Sequence, residues 1–335
     1  MRLSFETPPD YYNYAVKFSP FSSDLLASVA SLNYGLQGQG NLFILDHSPG
    51  LGIRCLRELE WKPDALFDLT WSELSPSIVW TSSADGSVQI WDTGDVKGDP
   101  IYRKERRPVQ VIAAHSSVCS SISWNQVRAD PPSVVTSSWD KTIKLWDGIT
   151  GNPVLTFTGH ERLVYECSWS PQRSSTFASC SGDGTVRIWD RSDQRSSLII
   201  DASRAEILSC DWCKYDSNIL AFSTSDSTIK IMDLRSPHSP IATLIGHTRA
   251  VKKVRFNPHK KSILGSVSYD LTTRLWDYLI PETGTVRCNA SKSLIMTRQN
   301  HTEFVYGIDF NLHVPGMMVD CGWDHYIVIV HDSVN

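Results

Sequence analysis

Histidine, serine and aspartate recur in this chain in arrangements that resemble a nucleophilic triad. His160, Ser181 and Asp183 have the residue types with which a histidine takes a proton from an attacking serine. The same types and offsets return at other points along the chain, in the sets His247, Ser268 and Asp270, and with a hydroxyl two residues before an aspartate at Ser83, Ser138 and Thr224. An enzyme needs one such site rather than several. The repetition therefore predicts a structural brace of His, hydroxyl, Asp and Trp in each repeat, and no catalytic residue.

Two cysteines, Cys210 and Cys213, have the spacing of a redox pair or of half a zinc site. No second CxxC pair completes a zinc site, and strand residues three apart point to opposite faces of a sheet. We interpret the cysteines as small buried hydrophobic residues. The chain also has no Walker-type phosphate loop and no HExxH helix motif. We expect no metal and no cofactor.

A repeat of 43 to 55 residues organises all of these side chains. In each repeat, a short β-rich run ends in an apolar residue followed by Asp or a substitute, at Leu45-Asp46, Trp91-Asp92, Trp146-Asp147, Trp189-Asp190, Met232-Asp233, Trp276-Asp277 and Val330-His331. Such a period is typical of a β-propeller, in which each repeat is one four-stranded blade.

Further landmarks keep a fixed spacing within the repeats. A turn aspartate precedes most of these acids by seven residues, and a histidine opens four repeats, at His115, His160, His247 and His301. Ser203 and Lys62 occupy the histidine position in repeats 5 and 2. Nine residues after this opening position comes a large aromatic, at Trp71, Trp124, Trp169, Trp212, Phe256 and Phe310. Two residues before each aromatic lies a smaller apolar residue, and the pair shares one face of a strand, which predicts a core between blades.

We therefore predict an all-β protein, a single-domain seven-bladed propeller of the WD-repeat type over residues 1–335. The approximate repeats are 11–52, 61–105, 112–155, 157–199, 200–243, 244–292 and 298–332. A net charge of −4 gives no case for broad nucleic-acid binding. No apolar run has the length of a membrane span, and the N-terminus lacks the apolar core of a signal peptide. We expect a cytosolic protein, with residues 103–107 and the extension over 278–300 as surface loops.

The loops that open the repeats are the remaining functional candidates. In propellers these loops lie on the face usually used for binding. Here they carry acidic, apolar and aromatic residues, namely Asp64, Phe67, Val118, Glu161, Leu163, Tyr165, Glu206, Ala250, Glu303, Phe304 and Tyr306. Basic residues on these loops are few, at Arg162, Arg204 and Arg249. Such a surface suits a basic amphipathic segment, with its apolar stripe on the aromatics and its cations on the carboxylates.

Several stretches are more specific than a general WD repeat. They are residues 13–21 (NYAVKFSPF), 33–40 (NYGLQGQG), 66–73 (LFDLTWSE), 205–215 (AEILSCDWCKY) and 301–304 (HTEF). Together they resemble the peroxin-7 family, the WD-repeat receptors for the type 2 peroxisomal targeting signal. The likeness spans the whole chain in order.

The resemblance implies a receptor that binds the N-terminal helical signal of folded matrix enzymes in the cytosol. A co-receptor peroxin would cover part of the signal and dock the complex at the peroxisome membrane, after which the receptor would shuttle between cytosol and peroxisome. The implied cargo-signal residues are Asp64, Phe67, Val118, Leu163, Tyr165, Glu206, Glu303 and Phe304. The family's acidic contacts map to Asp64 and Glu206, but a third maps to Val118, where Glu303 or Glu161 would have to compensate.

Two other functions stay open at this point. A WD-repeat scaffold or substrate adaptor would bind another class of peptide on the same face. A propeller enzyme would need one blade with a unique polar cluster, and the repeat shows no such break.

Overall fold

The computed structural model describes residues 2–36, 38–48, 50, 52–94, 107–127, 131–279 and 293–331. Seven antiparallel sheets of four strands each are present, which confirms the seven-bladed propeller. Most of the predicted loop over residues 103–107 and most of the extension over 278–300 lie outside the described residues.

Each of blades 1 to 6 takes its four strands from consecutive sequence. The strands are β2–β5 (Tyr11–Phe18, Leu25–Leu32, Gly40–Asp46, Arg54–Trp61), β6–β9 (Leu66–Trp71, Ile78–Ser83, Ser87–Asp92, Gln110–Ala113), β10–β13 (Cys119–Trp124, Ser133–Ser138, Ile143–Asp147, Pro153–Phe157), β14–β17 (Val164–Trp169, Thr176–Ser181, Thr185–Asp190, Ser196–Asp201), β18–β21 (Ile207–Trp212, Ile219–Thr224, Thr228–Asp233, Ala242–Ile245) and β22–β25 (Val251–Phe256, Ile263–Ser268, Thr273–Asp277, Leu294–Arg298).

Blade 7 is closed by the other end of the chain. Its strands β26–β28 are Val305–Phe310, Met317–Gly322 and Tyr326–His331, and its outer strand is β1, Arg2–Glu6. Strand β1 pairs antiparallel with β28, from Arg2 opposite Val330 to Glu6 opposite Tyr326. The sequence repeat does not predict this strand, because β1 lies far from its blade along the chain. The pairing places the start of the chain in the last blade and so links the first and last blades of the ring.

The core lies between neighbouring blades, as predicted from the large aromatic residue and the smaller apolar residue of each repeat. These residues form an aromatic column and a smaller column around the ring. The first strand of each blade contacts the first strand of the next, and β26 contacts β2 to complete the circle. The aromatic column is buried throughout, at Trp71, Trp124, Trp169, Trp212, Phe256 and Phe310. The smaller column is equally buried and includes Cys167 and Cys210, while Cys213 is buried beside a neighbouring cluster. These cysteines fill core positions, as predicted.

The predicted brace is present, but with a different hydroxyl. In blade 4, His160 Nδ1 lies 2.8 Å from Asp183 Oδ2 and His160 Nε2 lies 2.7 Å from Ser179 Oγ. The Trp189 indole also donates to Ser179 Oγ at 2.8 Å. Blades 3 and 6 repeat this arrangement with Thr136 and Ser266.

The prediction that Ser181 provides the hydroxyl was therefore wrong. Ser181 lies at the end of its strand, where its Oγ accepts from the Asp183 backbone N–H at 3.1 Å and donates to the Arg162 carbonyl. Spacing alone does not distinguish Ser179 from Ser181, because residues two apart face the same side of a strand. The structural role of the histidine, aspartate and tryptophan is supported in blades 3, 4 and 6, where these side chains bind one another through one shared hydroxyl.

Candidate functional site

A β-bulge interrupts the first strand of every blade at the same position. In blade 1, Asn13 pairs with Ala30 and Ala15 pairs with Val29, so Tyr14 has no partner in the ladder. The corresponding skipped residues in the other six blades are Phe67, Ser120, Tyr165, Leu208, Lys252 and Tyr306. A bulge redirects a side chain away from its normal alternation. Seven bulges at one level therefore present a ring of seven side chains.

These seven side chains line one cavity of about 540 Å³. The cavity lies on the face formed by the repeat-opening loops, since Val118, Glu206 and Ala250 also line it. Its size falls in the range of pockets that hold small ligands or short peptide segments. A second cavity of about 270 Å³ lies at the other end of the seven first strands and is lined by Lys17, Asp309 and residues of neighbouring blades.

An ion network forms the floor of the larger cavity. Lys253 Nζ lies 3.6 Å from both Asp68 Oδ1 and Glu166 Oε1, and Arg255 donates to Glu166 Oε1 at 2.6 Å. These residues come from blades 2, 4 and 6, so the network crosses the central channel. Burial raises the pKa of the Asp68 carboxyl, but the nearby Lys253, Lys17 and Arg255 outweigh it and lower that pKa to about 2. The carboxylate therefore stays charged at neutral pH.

Eight aromatic residues form a continuous surface on one side of the cavity, which we term the aromatic arc: Tyr12, Tyr14, Tyr34, Phe67, Tyr269, Phe304, Tyr306 and Trp323. Trp323 is central to it. Its ring stacks on Tyr306 with centroids 4.7 Å apart, and it lies 5.0 Å from Tyr34 and 5.5 Å from Phe304. Such a surface offers a large apolar area with little side-chain entropy to lose on binding.

The Asn33–Gly35 turn holds Tyr34 in this arc in an unusual backbone conformation. Tyr34 has φ of 58° and Asn33 has φ of 46°, in the left-handed region that aromatic residues rarely adopt. Tyr14 Oη donates to the Tyr34 carbonyl at 2.8 Å, and Tyr12 stacks on the Tyr34 ring at 3.6 Å. Tyr34 is 44% exposed, and Leu36, two residues farther along the chain, is 85% exposed. Strained residues with exposed apolar side chains are common at ligand-binding positions.

Glu206 provides a carboxylate on the opposite side of the cavity. Tyr165 Oη donates to Glu206 Oε2 at 3.0 Å, which fixes the direction of the carboxylate. Burial, followed by the charge of Glu206, raises the pKa of Tyr165, so its hydroxyl stays protonated and continues to donate. Gly182 lies beside the other oxygen, since a Cβ there would stand 3.4 Å from Glu206 Oε1. That oxygen has no hydrogen-bond donor among the described residues.

The residues predicted for cargo binding fall into two groups. Phe67, Val118, Tyr165 and Glu206 line the cavity, and Phe304 lies in the aromatic arc. Three others lie outside the cavity lining: Asp64, whose Oδ1 accepts from the Ala65 N–H at 2.8 Å, Leu163, whose carbonyl accepts from the Gly182 N–H, and the exposed Glu303.

Several members of this surface were not predicted from the sequence. Trp139, Tyr269 and Trp323 each directly precede a turn aspartate, and Ala84 and Ser225 hold the same position in blades 2 and 5. All five line the cavity. This position repeats as regularly as the opening loops, so it could have been recognised as a second ring on the same face. Tyr14 and Lys252 could have been recognised by their equal spacing from the blade openings.

Within the described ranges, no group of His, Cys, Asp and Glu side chains is arranged to hold a metal ion. No helix among these residues has the length and apolar character needed to cross a membrane. The cavity lining offers carboxylate, ammonium, hydroxyl and aromatic groups.

Comparison with known proteins agrees with this architecture. The family "WD domain, G-beta repeat" matches residues 53–92, 106–147, 151–190 and 238–277. A Mus musculus protein named peroxisomal targeting signal 2 receptor is 48% identical over 321 residues, covering 96% of this chain and 94% of the relative. The Homo sapiens protein of that name is 50% identical over 300 residues, covering 90% and 86%.

A plant relative extends the match. Peroxisome biogenesis protein 7 of Arabidopsis thaliana is 41% identical over 326 residues, covering 97% of this chain and 96% of the relative. Identity at this level over nearly the full length, with the seven-bladed fold, places the chain in one family. The chain belongs to the peroxisomal targeting signal 2 receptors, the peroxin-7 family of WD-repeat proteins.

Proposed function

We propose that this protein is an import receptor that binds the N-terminal type 2 targeting signal of folded matrix enzymes. With a co-receptor peroxin, it delivers them to the peroxisome. The observation that carries the proposal is the pairing, in one cavity, of a positioned carboxylate at Glu206 with the aromatic arc. A basic amphipathic helix needs both features, a partner for its cation and an apolar surface for its stripe.

The energetics favour a ternary complex of receptor, signal and co-receptor over a binary complex of receptor and signal. Glu206 is partly exposed, so an ion pair with a ligand arginine contributes only about 0.2–1 kcal/mol in water. A co-receptor that covers the bound signal lowers the local dielectric and strengthens the same pair. Tyr34 and Leu36, exposed at the cavity edge, offer apolar surface for such a cover. Signal binding alone is then weak, and the ternary complex is tight.

The proposed cycle begins in the cytosol, where cargo folds, and continues at the peroxisome membrane and matrix. The docking machinery is reached through the co-receptor, and the receptor itself does not insert into the membrane. The histidines and aspartates of the braces stabilise the blades rather than catalyse a reaction, because they are hydrogen-bonded to one another.

The test is a titration of the purified chain with a fluorescent peptide that carries a type 2 signal, with and without a co-receptor fragment. A peptide in which the signal arginine is replaced by glutamate is the matched control. We expect binding that depends on the arginine and tightens when the co-receptor fragment is added. A folded protein that binds neither peptide in either condition would instead favour a WD-repeat scaffold or adaptor for another class of peptide.

A further inference from the structure

Two opposite charges line the cavity without pairing with each other. Four charged residues line it, and two of these, Glu166 and Lys253, are joined in the floor network at 3.6 Å. Within the described part of the chain, no ion pair includes Glu206 or Lys252. They lie in adjacent blades, 5 and 6, yet each contacts an aromatic residue of the blade on its far side. The rim of the cavity is therefore bipolar.

The Glu206 side is an acceptor. Tyr165 occupies one carboxylate oxygen, and the other faces the space beside Gly182. A carboxylate in this state can take one further hydrogen bond from a cation.

The Lys252 side is a donor. The Lys252 ammonium lies 5.2 Å from the centroid of the Tyr306 ring. The Tyr306 and Tyr269 hydroxyls lie 3.0 Å apart and share one hydrogen bond, which leaves one O–H for another acceptor. Burial, followed by the nearby Tyr269, raises the pKa of Tyr306, so the phenol stays protonated. The Lys252 ammonium over the Tyr306 ring therefore has no carboxylate partner among the described residues, and the Tyr269–Tyr306 pair keeps one O–H for a further acceptor.

We propose that Lys252 is a specificity-determining residue that binds a carboxylate of the ligand, so that the cavity selects a bipolar segment rather than a merely basic one. The inference rests on the proposed function. The signal's cation binds Glu206, and an acidic side chain farther along the same helical face binds the Lys252–Tyr306 side. This orientation also places the positive end of the bound helix near Glu206 and its negative end near Lys252, which the helix dipole favours.

The test uses fluorescent type 2 signal peptides in the presence of the co-receptor fragment. Each peptide carries a single Glu, or Gln in its place, about three, four, seven or eight positions after the signal arginine, which keeps it on one helical face. Affinities are compared for the wild type, Lys252→Met and the control Lys62→Met, whose lysine is exposed and lies outside the cavity lining. Lys252→Glu is a second variant that reverses the charge.

We expect at least one position at which Glu binds the wild type about threefold or more tightly than Gln. That advantage should disappear in Lys252→Met and persist in Lys62→Met. In Lys252→Glu, a peptide with Lys at the same position should bind more tightly than the Glu peptide. Equal Glu and Gln affinities at every position in the wild type would overturn the inference, as would a Glu advantage unchanged in Lys252→Met. Failure of the wild type to bind any signal peptide would instead overturn the proposed function on which the inference rests.

Discussion

Tyr165 donates its phenolic hydrogen to Glu206 across the boundary between blades 4 and 5, at 3.0 Å. The hydrogen bond positions a carboxylate at the rim of a cavity whose opposite side is aromatic. Because the contact joins two blades, the carboxylate is held by the closed ring rather than by a single loop.

Removal of the Tyr165 hydroxyl should weaken cargo binding without unfolding the propeller. In Tyr165→Phe the ring and its packing stay, but Glu206 gains rotational freedom and must be ordered on binding. We expect a loss of about two- to fivefold in signal-peptide affinity, equivalent to about 0.5–1 kcal/mol. The measurement is peptide titration beside thermal unfolding, and a large drop in melting temperature with unchanged affinity would contradict this role.

An added carboxylate at Val118 should strengthen binding. Val118 lines the cavity at the position where the family resemblance implies an acidic residue. Val118→Glu should tighten binding of the arginine-bearing peptide and make it more sensitive to salt, because a further ion pair forms. Titrations at low and high ionic strength test this, with Val118→Gln as the isosteric control. Equal gains from Glu and Gln would point to packing rather than charge.

A substitution in the brace should lower the stability of the propeller, whereas a substitution in the cavity should change cargo affinity. Burial raises the pKa of the Asp183 carboxyl, but hydrogen bonds from His160 and Thr185 outweigh it and hold that pKa well below its usual range. The stabilising contribution of this carboxylate is therefore present above the pKa of an aspartate in the unfolded chain, near 4, and is lost as the pH falls below that value. Asp183→Ala should lower the free energy of unfolding by about 2–4 kcal/mol at pH 7.

Chemical denaturation of Asp183→Ala at pH 7 and at pH 3 checks this. The difference from the wild type should shrink at the lower pH, because protonation of Asp183 in the unfolded wild type removes part of its stabilising contribution. A constant difference across that range would mean that the carboxylate charge is not what stabilises blade 4.

Blade 7 has a different brace, which predicts a distinct alkaline response. His301 contacts two carboxylates, with Nε2 3.1 Å from Asp320 and Nδ1 2.8 Å from Asp324. Burial lowers the pKa of His301, but the hydrogen bonds from the imidazolium to these carboxylates outweigh it and raise the pKa from 6.5 to about 9. Its stabilisation is complete below pH 6.5 and is lost as the pH rises through about 9.

Asp320→Ser recreates the hydroxyl found in blades 4 and 6 and should bring the His301 pKa down. NMR titration of the histidine ring signals is the direct measurement, and His247, whose pKa burial lowers, provides the internal comparison. We expect the wild type to lose on the order of 2 kcal/mol of stability through this group between pH 7 and pH 10, and the variant to lose less. A His301 signal that titrates near pH 6 in the wild type would exclude the charged brace.

Repetition made the fold predictable, and the same repetition limited what could be said of the site. The spacing of Trp189 from Asp183 and His160 fixed the blade, because each residue recurs in its neighbours. Glu206 and Phe67, which line the cavity, were selected from the sequence because their loops open blades. Tyr14 and Lys252 reach the cavity through a bulge, which leaves no signal in hydrophobic alternation, so only their repeated spacing from the blade openings could have revealed them.

The outer strand of blade 7 was missed for a different reason. Arg2–Glu6 pairs with a strand more than 300 residues away, and no local pattern encodes that contact. Asp64 and Leu163 show the opposite error, because they were predicted as site residues and lie outside the cavity lining. Both residues precede the first strand of a blade, but the Asp64 carboxylate accepts from its own chain neighbour.

The most direct test of the central claim is a charge exchange between Glu206 and the signal peptide. Glu206→Arg should abolish binding of the arginine-bearing peptide and should bind the peptide in which glutamate replaces that arginine, in the presence of the co-receptor fragment. Restored affinity in the exchanged pair would establish that Glu206 receives the cation of the signal. An arginine-bearing peptide that binds Glu206→Arg as tightly as it binds the wild type would contradict the account.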